Sequence, residues 1–113
     1  MRKDFREGYK KFVEEWGQES QERMAIEEMS ELTKELCKKI RLTRDDFSES
    51  SKEKLVKTIQ NIKEEIADVL NMAEQLEMYF GEEEIEKIRE EKMQRTLKLL
   101  EVEEWKMMIK SKI

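Results

Sequence analysis

Ser51–Phe80 reads SKEKLVKTIQNIKEEIADVLNMAEQLEMYF, and the spacing of its apolar residues decides the fold class. Leu55, Ile59, Ile62, Ile66, Val69, Ala73, Leu76 and Phe80 recur every three or four positions, which places them on one face of a helix. No glycine or proline interrupts the run. Ser50-Ser51-Lys52-Glu53 fits a capping box, with Ser50 as the cap and Glu53 three residues on. Gly81 stands where a glycine that ends a helix belongs. The stretch predicts one long helix over residues 51–80.

The same pattern extends in both directions. Upstream, Phe5, Tyr9, Phe12, Val13 and Trp16 share one helical face, which predicts a helix from about Arg2 to Trp16 that stops at Gly17. A second helix is expected to run to about Leu42, with Ser20 as its cap. The polar stretch Thr43–Ser51 reads as a loop. Downstream, Glu82, Glu83 and Glu84 suit the first turn of a fourth helix, because a helix N-terminus favours negative charge. That helix reaches at least Leu100, and the amphipathic tail 101–113 extends it. Short connections favour antiparallel neighbours. The expectation is one all-α, four-helix bundle-like domain over residues 1–113, with its core at about 16–100.

Composition narrows the chemistry. The 113 residues contain no proline, three glycines and 45% charged residues, with a net charge of −5. A nucleic-acid binder normally carries a basic stripe, so a nucleic-acid polymer is not the expected partner. The chain has no histidine, which removes Ser-His-Asp and Cys-His machinery and His-containing zinc sites. Cys37 is the only cysteine, so no internal disulfide forms. That usage, with no long apolar run and no signal-peptide core, points to a cytoplasmic chain without a membrane span. Any catalysis must rest on carboxylates, lysines and arginines.

Two acidic pairs stand out. On a wheel at about 100° per residue, Ala25, Met29, Leu32, Leu36 and Ile40 form the apolar face of the second helix. Glu28 and Glu31 lie roughly 80° and 140° to one side of its centre. Glu65 and Asp68 take the equivalent flank of the third helix. An i, i+3 pair projects two side chains in one direction. Four clustered carboxylates repel one another unless a cation joins them, and Mg²⁺ suits all-oxygen ligands. With 28 acidic residues, such pairs also arise on a solvated face by chance.

Ala25-Ile26-Glu27-Glu28-Met29-Ser30-Glu31-Leu32 and Ile62-Lys63-Glu64-Glu65-Ile66-Ala67-Asp68-Val69-Leu70 carry these pairs. In both spacing and flanking residues they resemble the MazG-like branch of the all-α nucleoside triphosphate pyrophosphohydrolases, over roughly residues 16–100. The resemblance implies a MazG-like fold and hydrolysis of a nucleoside triphosphate to the monophosphate and pyrophosphate. It implies Glu28, Glu31, Glu65 and Asp68 as catalytic ligands of Mg²⁺, with Mn²⁺ an alternative. One of them, or Glu27, would orient the attacking water. It further implies that a basic group on the last helix, from Arg89, Lys92 and Arg95, binds phosphates. Trp16 and Gln18 are the expected contacts to the base, although Trp16 also completes an apolar face and suits a core. Met24 and Met72 share the flank of the acidic pairs, where core packing is expected and lining of the pocket is the alternative, and Asn71 is expected to lie away from the site.

Val56, Ala67 and Leu70 fall outside the main stripe of the third helix and are expected to meet a second subunit. MazG-like proteins form dimers, often paired into tetramers, so a homodimer or homotetramer is the expectation. Trp105, Met107, Met108 and Ile109 are expected to dock on the bundle or on a partner. A membrane-surface role with Lys106, Lys110 and Lys112 is disfavoured by the short length of the segment. The alternative to an enzyme is a helical oligomerisation or interaction module.

Overall fold

The computed structural model describes residues 4–45 and 48–112, and these form four α-helices. They are α1 (Arg6–Trp16), α2 (Gln18–Asp45), α3 (Glu49–Phe80) and α4 (Glu82–Lys112). There is no strand among the described residues. The all-α expectation holds, and the tail 101–112 continues α4. None of these helices is long and apolar enough to cross a membrane. The chain divides into two compact units, Met1–Met78 and Tyr79–Ile113.

Four helix boundaries differ from expectation, and the first three have a local reason. Arg2 lies outside the described residues, and α1 begins at Arg6, whose N–H donates to Asp4 Oδ1. α2 begins at Gln18, directly after Gly17, so Ser20 lies inside the helix rather than capping it. Gly17 turns the chain at φ +86°, and its N–H donates to the Val13 carbonyl at 2.8 Å. A side chain strains that backbone conformation, which is why glycine ends α1. At the start of α3 the cap is Ser48, not Ser50. The Ser51 N–H donates to Ser48 Oγ, and the Ser48 hydroxyl donates to Ser51 Oγ, both at 3.2 Å. Much of the expected loop is helical too, with α2 reaching Asp45 and α3 starting at Glu49. Residues 46 and 47 lie outside the described residues.

In the first unit, α2 and α3 form an antiparallel pair. Gln75 Nε2 donates to Gln21 Oε1 at 3.0 Å, and seven residues further along α2, Glu28 meets Asp68, seven residues back along α3. The least exposed positions of α2 include Gln21, Ala25, Glu28, Leu32, Glu35, Lys39 and Leu42. Those of α3 include Ser51, Leu55, Thr58, Ile62, Glu65, Val69, Met72 and Leu76. Both sets step alternately by four and three, the 3.5-residue repeat of a coiled-coil seam. This corrects the wheel. The seam is rotated toward the acidic flank, so Met29, Leu36, Ile40, Ile59 and Ile66 are exposed where a core was expected.

α1 lies against this pair. Tyr9 is buried, and its hydroxyl donates to Glu74 Oε2 on α3 at 2.7 Å. In the second unit, α4 has no buried residue. Its exposed apolar residues, among them Ile88, Met93, Leu97, Val102 and Trp105, point in directions spread around the helix. Trp105, Met107 and Met108 are exposed, and Ile109 is half-buried.

Replacing Ser48 with alanine is expected to lower stability by about 1 kcal/mol, the usual cost of a lost helix cap. Ser50→Ala should change it by less than about 0.5 kcal/mol, as surface substitutions do. Urea denaturation of both variants measures the difference, and equal losses would return the cap to Ser50.

Candidate metal centre and adjoining cleft

Glu28 enters the site from the middle of α2, and Glu65 and Asp68 enter from one turn of α3. One carboxylate oxygen from each lies within 4.8 Å of the others. Glu28 and Glu65 are half-buried, and Asp68 is exposed. For comparison, Mg–O bonds of about 2.1 Å place opposite ligands about 4.2 Å apart. The structure therefore brings together three of the four expected ligands. Glu31 is not among them. It is exposed, and its Oε1 pairs with Lys34 at 3.5 Å. Glu31 lies about 60° around α2 from Glu28, and the rotated seam takes Glu28 inward and leaves Glu31 outside. Glu27 is exposed and turned toward the α1–α2 junction, in a depression lined also by Gln18 and Arg23.

The electrostatics follow from crowding. The Glu28 carboxyl is raised above its ordinary value of 4.5, first by desolvation, then by the charges of Asp68 and Glu65 and by the proton it would share with them. Glu65 Oε2 is buried and has no hydrogen-bond partner. The two facts agree, because facing carboxylates are all acceptors until one takes up a proton. An unpartnered buried acceptor costs about 1–3 kcal/mol, and more when it is charged. A proton on Glu28 or a cation between the groups removes that cost. The donors are all oxygen and all acidic, so they fit a hard divalent cation.

Beside the carboxylates is a cleft of about 550 Å³. One wall is α1, through Phe5, Gly8, Tyr9, Phe12 and Trp16. The opposite wall is Gln21, Met24 and Glu28 of α2 with Asp68, Asn71, Met72 and Gln75 of α3. Phe12 and Trp16 stack at 5.4 Å, and Phe5 meets Tyr9 edge-on at 6.2 Å. Trp16 is 58% exposed, which removes it from the core and leaves its ring at the cleft. Met24 and Met72 line the cleft, Met24 exposed and Met72 half-buried on the seam. Asn71 lines it as well, contrary to expectation. Gln18 does not line it, because it begins α2 on the far side of Gly17 and faces the neighbouring depression.

The basic candidates all belong to the second unit. Arg89 is paired with Glu86 at 3.2 Å on α4. Lys92 and Arg95 are exposed on the same helix, and Arg95 borders a shallow depression with Lys87, Glu91 and Lys98. Sequence reasoning missed Gln21 and Gln75, both of which reach the cleft. Their signal was faint: each lies seven residues from an acid of the cluster, and so on the same helical stripe. Compared with known proteins, the chain matches no family model, no curated protein and no solved structure.

The Glu28 shift predicts a pH dependence of stability in the metal-free protein. A carboxyl raised in the folded state binds more protons there than in the unfolded chain. Its stabilising contribution is complete below about pH 4.5, and it is lost as the pH rises through the raised value. Glu28→Gln should therefore melt higher than the parent at pH 7 in EDTA, with the advantage vanishing toward pH 4. Thermal melts across that range measure it, and a difference independent of pH would contradict the shift.

Proposed function

We propose that Glu28, Glu65 and Asp68 hold Mg²⁺ and that the chain hydrolyses a nucleoside triphosphate to the monophosphate and pyrophosphate. The observation that carries this reading is the meeting of three acids from two helices around a buried, unpartnered oxygen, at the end of an aromatic-lined cleft. The motif resemblance supports it independently. A divalent cation held there supplies Lewis acidity toward phosphate oxygens and lowers the pKa of a bound water. The chain's own part is positioning. Glu28 and Asp68 border both the acidic cluster and the cleft, so a ligand in the cleft has its charged end beside them. Trp16 and Phe12 offer flat apolar surfaces to a heterocycle. Glu31, exposed one turn from Glu28, is left to bind water around the cation or to adjust on loading. Mn²⁺ remains the alternative metal for the cluster.

A homodimer or homotetramer belongs to the same proposal. Met29 and Leu36 on α2, with Ile59 and Ile66 on α3, are exposed at steps of seven residues. They form a second apolar stripe parallel to the seam that joins the two helices. A stripe with that repeat suits helix–helix packing, and a second copy presents the same stripe.

Two measurements test these readings. Pyrophosphate release from a panel of ordinary and modified nucleoside triphosphates with Mg²⁺ or Mn²⁺ tests the activity. Glu65→Gln and Asp68→Asn should each lower the rate on the order of 10²-fold or more, as loss of a charge-stabilising group does. Both should also abolish any rise in melting temperature on adding Mg²⁺, which linkage requires of a folded-state ligand. No release from any substrate would leave the helical interaction module as the reading. Sedimentation tests assembly. The parent should exceed the 13.8 kDa monomer by at least twofold, and Leu36→Lys with Ile66→Lys should return it to monomer mass.

A further inference from the structure

We infer that Gln75 reads the heterocycle in the cleft, its Oε1 accepting an N–H from the edge of the base. The inference rests on the nucleotide reading above and adds a specificity-determining residue to it. Gln75 is 1% exposed, the most buried polar side chain of the described residues, and it lines the cleft. Its Nε2 is committed, donating to Gln21 Oε1 at 3.0 Å. Its Oε1 is buried and has no partner. Gln21 is 4% exposed, so the pair is held in place on both sides. A leucine or methionine at position 75 would fill the same space without leaving an acceptor unsatisfied, so the amide creates a demand for a donor. Glu74, its neighbour, meets that kind of demand by accepting from Tyr9, whereas Gln75 Oε1 has no partner and its residue lines the cleft.

The distances along the helices fit a nucleotide. Gln21 lies seven residues from Glu28, and Gln75 lies seven from Asp68, about 10.5 Å along each helix at 1.5 Å per residue. A nucleoside bridges such a span, with its base edge at the amide pair and its phosphates at the carboxylates. The stacked Phe12 and Trp16 rings line the same cleft and offer an aromatic face to the base. The ligand class is thus a nucleoside triphosphate whose base presents an N–H on its edge. A site built to receive such a donor rejects the analogue that lacks it far more strongly than it rejects a small change in apolar bulk.

Calorimetry with Mg²⁺ and non-hydrolysable α,β-imido triphosphates tests this. The probes are uridine, guanosine, adenosine and cytidine, paired with N3-methyluridine, N1-methylguanosine, N6,N6-dimethyladenosine and N4,N4-dimethylcytidine. Inorganic tripolyphosphate is the ring-free control. At least one parent should bind tenfold or more tighter than its methylated partner. Gln75→Met should bring that ratio below about threefold, while leaving tripolyphosphate binding unchanged. If Gln75→Met does not fold, the double replacement Gln21→Met with Gln75→Met removes both amides and carries the same expectation. Parent and methylated bases binding equally, or a ratio that survives the loss of the amide, would overturn the inference while tripolyphosphate binding upheld the metal reading. Failure of tripolyphosphate and every nucleotide to bind would overturn both.

Discussion

The helical seam between α2 and α3 contains polar groups where an ordinary coiled coil has apolar ones. Gln21, Glu28 and Glu35 from α2 and Thr58, Glu65 and Gln75 from α3 lie on or beside it. Apolar burial contributes little at those positions, and unpartnered atoms there oppose folding. Such groups do specify register, because a slip of one residue would separate Gln21 from Gln75 and Glu28 from Asp68. The register of the pair and the composition of the site are therefore one constraint. Whatever holds α2 against α3 also sets the spacing of the carboxylates.

The same constraint explains the cleft. A seam crowded with charge cannot close over its own polar end, and α1 covers that end from one side. Tyr9 anchors α1 through a short bond to the Glu74 carboxylate, and a charged acceptor makes that bond stronger than one between neutral groups. The aromatic face of α1, which a simple bundle would bury completely, instead borders an open volume. Phe5, Phe12 and Trp16 keep substantial exposure as a result. The carboxylates and the aromatic surface meet because both follow from the rotated seam.

Helix number, helix type and the acidic cluster were legible in the sequence, because an unbroken i, i+3, i+4 pattern over Ser51–Phe80 admits little else. Glu28, Glu65 and Asp68 were legible through their flanks. Three features were not. The Ser48 cap was hidden by the better capping-box match two residues later, since both are serines and only the three-dimensional start of α3 separates them. Glu31 was expected with Glu28 because an i, i+3 pair projects in one general direction, yet the roughly 60° between them lets the rotated seam take in one and leave the other outside. Gln21 and Gln75 were passed over because a glutamine on a helix usually faces solvent, and nothing local marks one that does not.

Each of α2 and α3 carries enough apolar residues for one broad face, yet only one edge of that face lies in the seam. The remainder, from Met29 and Leu36 on one helix and Ile59 and Ile66 on the other, repeats every seven residues and stays exposed. Scattered surface apolar residues need no explanation, but a stripe with a heptad repeat on two adjacent helices does. If burial of that stripe were the only need, the seam would have rotated onto it and the carboxylates would have turned to solvent. The pair instead faces its charged edge inward and leaves the apolar edge free. The proposed assembly would cover that free edge with another helix surface and would give the charged edge the support that its own packing lacks. Assembly and the acidic site would in that case be two consequences of a single choice of seam, and a change that frees the apolar edge from its partner should loosen the register on which the site depends.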